Sequence, residues 1–333
     1  MKKINITIAT SDYDHFRDFR GGDVQAQGIE PIWLQHEIHE IFSRFAAKRE
    51  WDVSEMSFAK FTAQMAEHES AETRDVIALP VFASRVFRLS SLYVNPSKGI
   101  RTPADLKGKR IGLPEWAQTA AVYTRGWLEH DAGVPLTSIQ WVQAGIEDVG
   151  RTEKVDLTLP KGIDLIRQPE KTLSEMIVRG EVDAIMTASI PSPYQRRDPN
   201  IRRLFDDPRA EEVKYFRRTG VYPIMHIIAL RKAVLEEHPW VARNLYLAFE
   251  ESKRRAMERI FDGSASRYPI PWLYDTVMDQ RELFKGDIYP YGVDANYTTL
   301  ETFLRFCFEQ GVAKRLLKPE DIFPAGINPQ VKT

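Results

Sequence analysis

Two arginines and a helix start are the clearest candidates for ligand binding in this sequence. Arg85 and Arg88 lie three residues apart, directly after an apolar segment that begins at Val76. Arginine binds carboxylates through paired N–H···O contacts, and the free amide N–H groups of a helix start also favour anions. A helix is predicted to begin at Gln118 and Thr119. These features predict a site for a small anion that carries two negative charges. The arginines could instead form ordinary ion pairs between two parts of the protein.

Four titratable residues could move protons at such a site, and they are Asp14, His15, Glu55 and His226. Histidine carries protons near neutral pH, and a buried carboxylic acid with a raised pKa can do the same. Each candidate also has a structural alternative. His226 lies in an apolar strand and could be a core histidine, and Glu55 could stabilise a helix start. Asp14 and His15 could only close a turn.

Two further residues complete the set of candidate ligand contacts. Ser57 follows the strand that carries Glu55 and is predicted to cap the next helix. Trp116 lies near the predicted helix start at Thr119 and could stack on an aromatic ligand, although tryptophan is as often a core residue.

A metal site is not predicted. His36 and His39 miss the His-Glu-x-x-His spacing by one residue, and Ile38 and Ile41 occupy the face of the helix that would be buried. This segment is therefore interpreted as a solvated helix start, and no cofactor of any kind is expected.

The elements that must position these residues alternate between strands and helices, which is typical of an α/β fold. The strands are predicted at 4–10, 51–56, 76–82, 182–186 and 221–230. The helices are predicted at 37–50, from Ser57, from Gln118 to His130, from Pro239 to about Ile260, and after a cap at Asp294. Cys307 lies on the apolar face of this last helix and is expected to be a core thiol.

A turn-rich segment at 95–99 marks a boundary between two lobes. Residues 1–95 together with about 220–333 are predicted to form the first lobe, and residues 96–219 the second. The lobe to which 209–218 belongs stays open.

Composition excludes several classes of partner. The 333 residues are 43% hydrophobic and 28% charged, and the net charge of -1 leaves no excess for nucleic acid or an anionic membrane. No apolar segment is long enough for a secretion signal or a membrane span, and one cysteine excludes a disulfide framework. We therefore expect a cytoplasmic protein. If it forms a homo-oligomer, Tyr289 and Tyr291 are expected to be exposed aromatic residues at the contact.

Two phrases resemble the type II periplasmic-binding-protein fold: ADLKGKRIG at 104–112 and GEVDAIM at 180–186. Further segments resemble one branch of that fold, the cytosolic 4,5-dihydroxyphthalate decarboxylases. They are WDVSEMS at 51–57, SRVFR at 84–88, TAA with RG at 119–126, TGVYPIMH at 219–226 and HPWV at 238–241. The resemblance runs from about Ile4 to Ala256. It departs at Leu89, where the family often has a histidine.

The resemblance implies a two-lobed α/β protein, with a mixed sheet in each lobe and a ligand cleft between the lobes. It further implies cofactor-free loss of one carboxylate from 4,5-dihydroxyphthalate, or a closely related hydroxylated aromatic di-acid, to give protocatechuate in phthalate breakdown. Such a reaction needs a base for the phenol, an acid at the ring carbon, and charges that hold the ring.

The resemblance favours His226 as proton donor or relay and places His15 and Asp14 near the hydroxyl end. Glu55 is expected to act as a base or to orient a histidine, and these roles could be exchanged among the four residues. The alternative function is a binding protein or sensor for a small aromatic carboxylate. A thiamine-pyrimidine synthase of the same fold would need a cysteine-rich stretch, which this sequence lacks.

Overall fold

The computed structural model describes residues 2–70, 73–265 and 267–323. The strands of this part of the chain are β1 (Ile4–Ala9), β2 (Ile29–Leu34), β3 (Val53–Ser57), β4 (Val76–Arg85), β5 (Leu92–Val94), β6 (Arg110–Leu113), β7 (Gln140–Gly145), β8 (Asp164–Thr172), β9 (Ala184–Met186), β10 (Arg202–Arg203) and β11 (Ile224–Arg231). Its helices are α1 (Arg17–Gly21), α2 (Ile38–Lys48), α3 (Phe58–Glu67), α4 (Thr119–His130), α5 (Leu173–Val178), α6 (Ser192–Gln195), α7 (Pro208–Thr219), α8 (Lys232–Glu237), α9 (Val241–Phe261), α10 (Leu273–Leu283), α11 (Tyr297–Glu309) and α12 (Pro319–Ile322).

The first lobe is built on a five-stranded sheet with the order β2-β1-β3-β11-β4. Strand β1 runs parallel to β2 and β3, whereas β11 lies between β3 and β4 and is antiparallel to both. Every residue of β3 is buried, which agrees with its position inside the sheet. Because β11 comes late in the chain, the first sheet joins residues that are far apart in sequence.

The second lobe is built on a six-stranded sheet with the order β10-β5-β9-β6-β7-β8. Its strands β6, β7 and β8 are parallel to one another, and β9 is parallel to β6. The pairs β5 with β9 and β5 with β10 are antiparallel. Both sheets are therefore mixed, as the sequence predicts.

The chain crosses between the sheets twice, after β4 and after β10. The expected boundary assigns residues up to 95 to the first lobe, but β5 pairs with β9 in the second sheet. Helix α7, whose assignment the sequence leaves open, lies at these crossings, where the Ser90 amide donates to Glu212 Oε1 at 2.9 Å. The division into lobes by residue number otherwise stays a prediction.

Several element boundaries differ from the sequence predictions. The long helix α9 begins at Val241, two residues after Pro239, and α11 is capped by Asn296 rather than Asp294. Strands β2, β7 and β8 and helix α10 are not predicted from the sequence. Cys307 is a buried free thiol, as expected.

The described helices include none that is long and apolar enough to cross a lipid bilayer.

Candidate active site

A cleft of about 360 Å³ lies between the two lobes. The first lobe contributes the start of α2, the junction of β3 with α3, Arg88 after β4, and the start of β11. The second lobe contributes the loop from β6 to α4 and the loops that follow β7 and β9. A cleft bordered by strand ends and helix starts is the usual ligand site of such a fold.

Glu55 and His226 form a hydrogen-bonded pair at this cleft. In the register of β3 against β11, His226 lies opposite Ser57 and Glu55 lies opposite Ile228, so the two side chains are diagonal neighbours. Glu55 Oε1 lies 2.7 Å from His226 Nδ1. His226 lines the cleft, while Glu55 behind it is fully buried. An ionised carboxylate only accepts hydrogen bonds, so Nδ1 carries the proton of this contact and Nε2 is the remaining ring nitrogen.

Two further donors hold the Glu55 carboxylate. Tyr13 donates its hydroxyl to Oε1 at 2.6 Å, and the Ser11 amide donates to Oε2 at 2.8 Å. Burial alone would raise the pKa of Glu55, but the hydrogen bond and charge of His226, with the bonds from Ser11 and Tyr13, hold this pKa below its ordinary value. Glu55 is therefore an ionised carboxylate that orients the His226 ring. Phe42 packs edge-on against that ring at 5.0 Å.

The starts of α3 and α4 meet at the cleft. Ser57 precedes α3 but makes no capping hydrogen bond with its side chain. Its hydroxyl lies 3.0 Å from Thr119 Oγ1, which also accepts the Ala59 amide at 3.1 Å. Neither helix has an acidic residue in its first turn. The positive ends of two helix dipoles therefore face the cleft with no acidic residue in either first turn, which favours an anion there. Gln118 and Thr119 both line the cleft.

Arg88 provides a cation that forms no ion pair among the described residues, although the negative charge of Glu212 acts on it from a distance. In the described part of the chain, its guanidinium contacts Met225 Sδ at 3.1 Å and the Ala188 carbonyl at 3.2 Å and forms no ion pair. Burial lowers the pKa of Arg88 to about 10. A largely buried charge with no partner is unfavourable, so an anionic ligand would relieve this cost. Arg88 borders the cleft next to Met225, the residue before His226.

Two further cations, Lys60 and Arg151, form ion pairs with Glu115, which is fully buried. Lys60 Nζ lies 2.8 Å from Glu115 Oε2, and Arg151 Nη2 lies 2.6 Å from Oε1. Lys60 comes from α3 of the first lobe, whereas Glu115 and Arg151 come from loops of the second lobe. The Lys60–Glu115 ion pair therefore connects the two sides of the cleft, whereas the Arg151–Glu115 pair lies within the second lobe.

Two curated proteins are similar to this chain along most of its length. The 4,5-dihydroxyphthalate decarboxylase of Comamonas testosteroni is 39% identical over 329 residues, which is 98% of this chain and 98% of the relative. The protein of the same name from Pseudomonas putida is 38% identical over 218 residues, covering 65% of this chain and 83% of the relative. The chain belongs to the 4,5-dihydroxyphthalate decarboxylase family. No protein-family model matches it.

Solved structures with the same fold confirm the predicted architecture of this decarboxylase family member. The periplasmic aliphatic sulphonate binding protein SsuA from Escherichia coli has a TM-score of 0.53 at 12% identity, with 96% of this chain and 97% of that chain covered. A variant of the desulfurization enzyme DSZB in complex with biphenyl-2-sulfinic acid also has a TM-score of 0.53 at 12% identity, with 97% of both chains covered. These likenesses show the fold alone.

Arg85, three residues before Arg88, does not line the cleft of this family member. Its guanidinium donates to the Pro290 carbonyl at 3.0 Å, to Asn296 Oδ1 at 2.7 Å and to the Tyr222 carbonyl at 2.8 Å. It also lies 4.1 Å from the centre of the Tyr222 ring. The structure therefore gives Arg85 a role in packing, which differs from the ligand contact expected from the sequence.

Three other predicted site residues also lie away from the cleft. Asp14 accepts the Tyr268 hydroxyl at 2.7 Å, outside the cleft lining. His15 is enclosed by aromatic rings, with Phe16 at 4.5 Å and Tyr289 at 5.0 Å. Trp116 is fully buried, and its Nε1 donates to the Gln310 carbonyl at 2.7 Å. None of the three is placed to touch a ligand, because each is held by its own packing partners.

The expected exposure of two tyrosines is also not found. Tyr291 is buried and Tyr289 is partly buried. Their neighbours include the ring of His15, so they do not form an exposed contact surface.

The sequence did not point to Lys60, Glu115 or Arg151, and His39 was interpreted as part of a solvated helix start, yet all four residues line the cleft. One signal was available for Lys60, which is a basic residue in the first turn of a helix, where a cation is unfavourable. Arg151 follows β7, a strand that the sequence did not reveal. Gly145 ends that strand, and a Cβ there would lie 1.8 Å from the Asp148 carbonyl oxygen, so this tight loop requires glycine.

Proposed function

We propose that this protein decarboxylates 4,5-dihydroxyphthalate to protocatechuate and carbon dioxide in phthalate catabolism. The observation that carries the proposal is the Glu55–His226 pair, which presents an oriented imidazole to a cleft that also holds the unpaired cation of Arg88. The names of the two curated relatives supply the substrate and the reaction. The site offers what an aromatic di-acid needs, namely a proton donor and positive charge.

The reaction uses the position of the hydroxyl groups on the ring. Each carboxylate of the substrate is para to a hydroxyl, so loss of the phenolic proton moves electrons toward the carbon that bears the carboxylate. That carbon then takes a proton and forms a C–H bond. The bond to the carboxylate breaks, its electron pair returns to the ring, and carbon dioxide leaves as aromaticity is restored.

His226 is assigned the transfer of the proton to the ring carbon. Glu55 holds Nδ1, so the proton that is transferred is the one on Nε2. The transfer starts from the imidazolium form of His226, whose Nδ1–H donates to the Glu55 carboxylate, and one proton from water returns to the imidazole after each turnover. Glu55 therefore acts as a positioning residue for His226, and no metal or organic electron sink takes part in the proposed step.

His39 is assigned the phenolic proton. It lines the cleft from α2, and its pKa is lowered by partial burial and by the charges of Arg151, Lys154 and Lys60. A neutral imidazole can accept this proton and return it to the phenolate oxygen after carbon dioxide has left. This assignment replaces Asp14 and His15, which lie outside the cleft.

The compartment we propose is the cytoplasm, since the single cysteine is a buried free thiol, as is usual in a reducing environment.

The proposal is tested by incubating purified protein with 4,5-dihydroxyphthalate in D₂O. We expect one equivalent each of carbon dioxide and protocatechuate, with one deuterium at the ring position that carried the lost carboxylate. The His226→Asn variant should bind the substrate but form product at least about a hundredfold more slowly. If wild-type protein binds the compound and releases it unchanged, it is a binding protein and the proposed reaction is wrong.

A further inference from the structure

Lys60, Glu115 and Arg151 form a group that the reaction described above does not use. Arg151 contacts Glu115 Oε1 through both Nε, at 2.8 Å, and Nη2, at 2.6 Å. Lys60 Nζ contacts the other oxygen, Oε2, at 2.8 Å. One buried carboxylate is therefore shared by two cations, so these three side chains together carry one positive charge. The neighbouring Glu153 carboxylate accepts the amides of Trp116 and Ala117.

Lys60 and Arg151 keep N–H donors that do not contact Glu115. Arg151 Nη1 has no hydrogen-bond partner among the described residues, and the Lys60 ammonium has three N–H donors for one contact. The Arg151 and Lys60 side chains are 30% and 15% exposed, and both line the cleft. An edge of a guanidinium beside an ammonium matches the two oxygens of a carboxylate.

The charges of Lys60 and Arg151 also act on two neighbouring groups. The pKa of His39 and that of Lys154 are both lowered, first by burial and then partly by the charges of Lys60 and Arg151. Glu147 and Asp148 also line the cleft, but both are exposed, and the Glu147 carboxylate is occupied by Ser174 and Ser192. Exposed carboxylates are screened by water, so they offset this charge only weakly.

We propose that Lys60 and Arg151 form the subsite for the carboxylate that stays on the product, with Glu115 as the residue that positions both cations. This inference rests on the proposed function and deepens it, because it assigns different places to the two carboxylates. Arg88 lies beside Met225, next to the proton donor, and faces the carboxylate that leaves.

The chemistry of the reaction supports this division. The departing group loses its charge on the way to the transition state, so holding it with two cations would stabilise the substrate more than the transition state, and one cation, Arg88, holds it more weakly. The retained carboxylate keeps its charge throughout, and two cations can hold it without slowing the reaction. Because Lys60 comes from one lobe and Arg151 from the other, the subsite is complete only when the lobes are as close as in this structure.

The test measures binding by calorimetry with three probes, which are phthalate, protocatechuate and catechol. Phthalate has both carboxylates, protocatechuate has one carboxylate with both hydroxyls, and catechol has the hydroxyls only. We expect Arg151→Gln and Lys60→Gln each to weaken phthalate and protocatechuate by about tenfold or more, the size of one charge-assisted hydrogen bond, and to leave catechol unchanged. Arg88→Gln should weaken phthalate but not protocatechuate.

Lys154→Gln is the matched control, because Lys154 is a neighbouring cation that does not line the cleft. It should change the affinity for each probe by less than about twofold, since it alters only the screened field. The thermal unfolding midpoint of every variant is compared with that of the wild type, to check that each variant is folded at the temperature of the binding measurement.

Three results would overturn the inference. The first is that Arg151→Gln and Lys60→Gln both bind phthalate and protocatechuate as tightly as the wild type does. The second is that they lose affinity for phthalate alone. The third is that they lose as much affinity for catechol, which would place the hydroxyl groups at Lys60 and Arg151. Binding needs no turnover, so these outcomes are separate from a failure of the proposed function. That failure appears as wild-type protein that binds phthalate and forms no product from 4,5-dihydroxyphthalate.

Discussion

Glu55 Oε1 and His226 Nδ1 lie 2.7 Å apart, although their residues are 171 positions apart in the chain. The contact exists because β11 inserts beside β3 in the first sheet. The contact fixes the Nδ1 atom of His226 and leaves its Nε2 atom available to a ligand in the cleft.

Replacing Glu55 by glutamine should lower kcat by about a hundredfold or more while substrate binding changes little. The amide keeps the shape of the side chain but cannot stabilise a protonated His226. Tyr13→Phe is the comparison, because it removes the hydroxyl that donates to Glu55 at 2.6 Å and lies 3.4 Å from His226 Nδ1 but keeps the Glu55 charge, and it should cost about tenfold or less. Steady-state kinetics measure both variants. A Glu55→Gln enzyme with kcat within about threefold of wild type would remove Glu55 from the reaction.

His15 should make the protein sensitive to acid without taking part in catalysis. Burial lowers the pKa of His15 from 6.5 to about 4. Between these values the unfolded chain binds the proton and the folded protein does not, so stability is lost as the pH falls from 6.5 to 4. The loss reaches about 3 kcal/mol.

His15→Phe should therefore reduce the pH dependence of the free energy of unfolding over this range and leave kcat within about threefold of wild type. Urea denaturation at several pH values measures the first effect. A variant as acid-sensitive as wild type, or one without activity, would contradict this role of His15.

Changing Arg85 or Arg88 to glutamine should have different effects on KM and on stability. Arg88→Gln should raise KM by about tenfold or more and leave the free protein nearly as stable as before, because a largely buried cation that forms no ion pair is removed. Arg85→Gln should destabilise the protein by about 3 kcal/mol, since its partners Pro290, Asn296 and Tyr222 lose their donor. Denaturation curves and KM values of the two variants check this. A raised KM in Arg85→Gln together with a loss of stability in Arg88→Gln would show that Arg85, and not Arg88, contacts the ligand.

Trp116→Phe should cost stability and not substrate binding. The exchange removes the 2.7 Å hydrogen bond to Gln310 and weakens the stacking of Arg125, whose guanidinium lies 3.8 Å from the ring centre. We expect a loss of about 2 kcal/mol in the free energy of unfolding, with KM within about twofold of wild type. A raised KM at unchanged stability would place the indole at the substrate.

The sequence could predict residues whose role is set by local pattern and strand position. Glu55 and His226 were identified as candidates because of their strands and the family resemblance, and Ser57 and Thr119 because helices start there. The sequence could not separate Arg85 from Arg88. The difference depends on Asn296 and Pro290, which lie more than 200 residues later and give Arg85 its acceptors.

Arg151 shows a second kind of limit. It was missed because β7 has the sequence QWVQAG, in which Gln140 and Gln143 interrupt the apolar pattern of a short strand. Its pairing with Glu115 depends on a loop closed by Gly145. Long-range ion pairs of this kind leave no local pattern, so only the folded chain shows them.

The late position of β11 has a consequence for the synthesis of the protein on the ribosome. A nascent chain that has reached residue 223 already carries Glu55, Arg88 and Arg151, yet it lacks the strand that lies between β3 and β4. Until that strand emerges, Glu55 has no imidazole partner and β3 and β4 each have an open edge. The proton donor thus arrives with the strand that joins β3 to β4, so an incomplete chain is left without the reactive site.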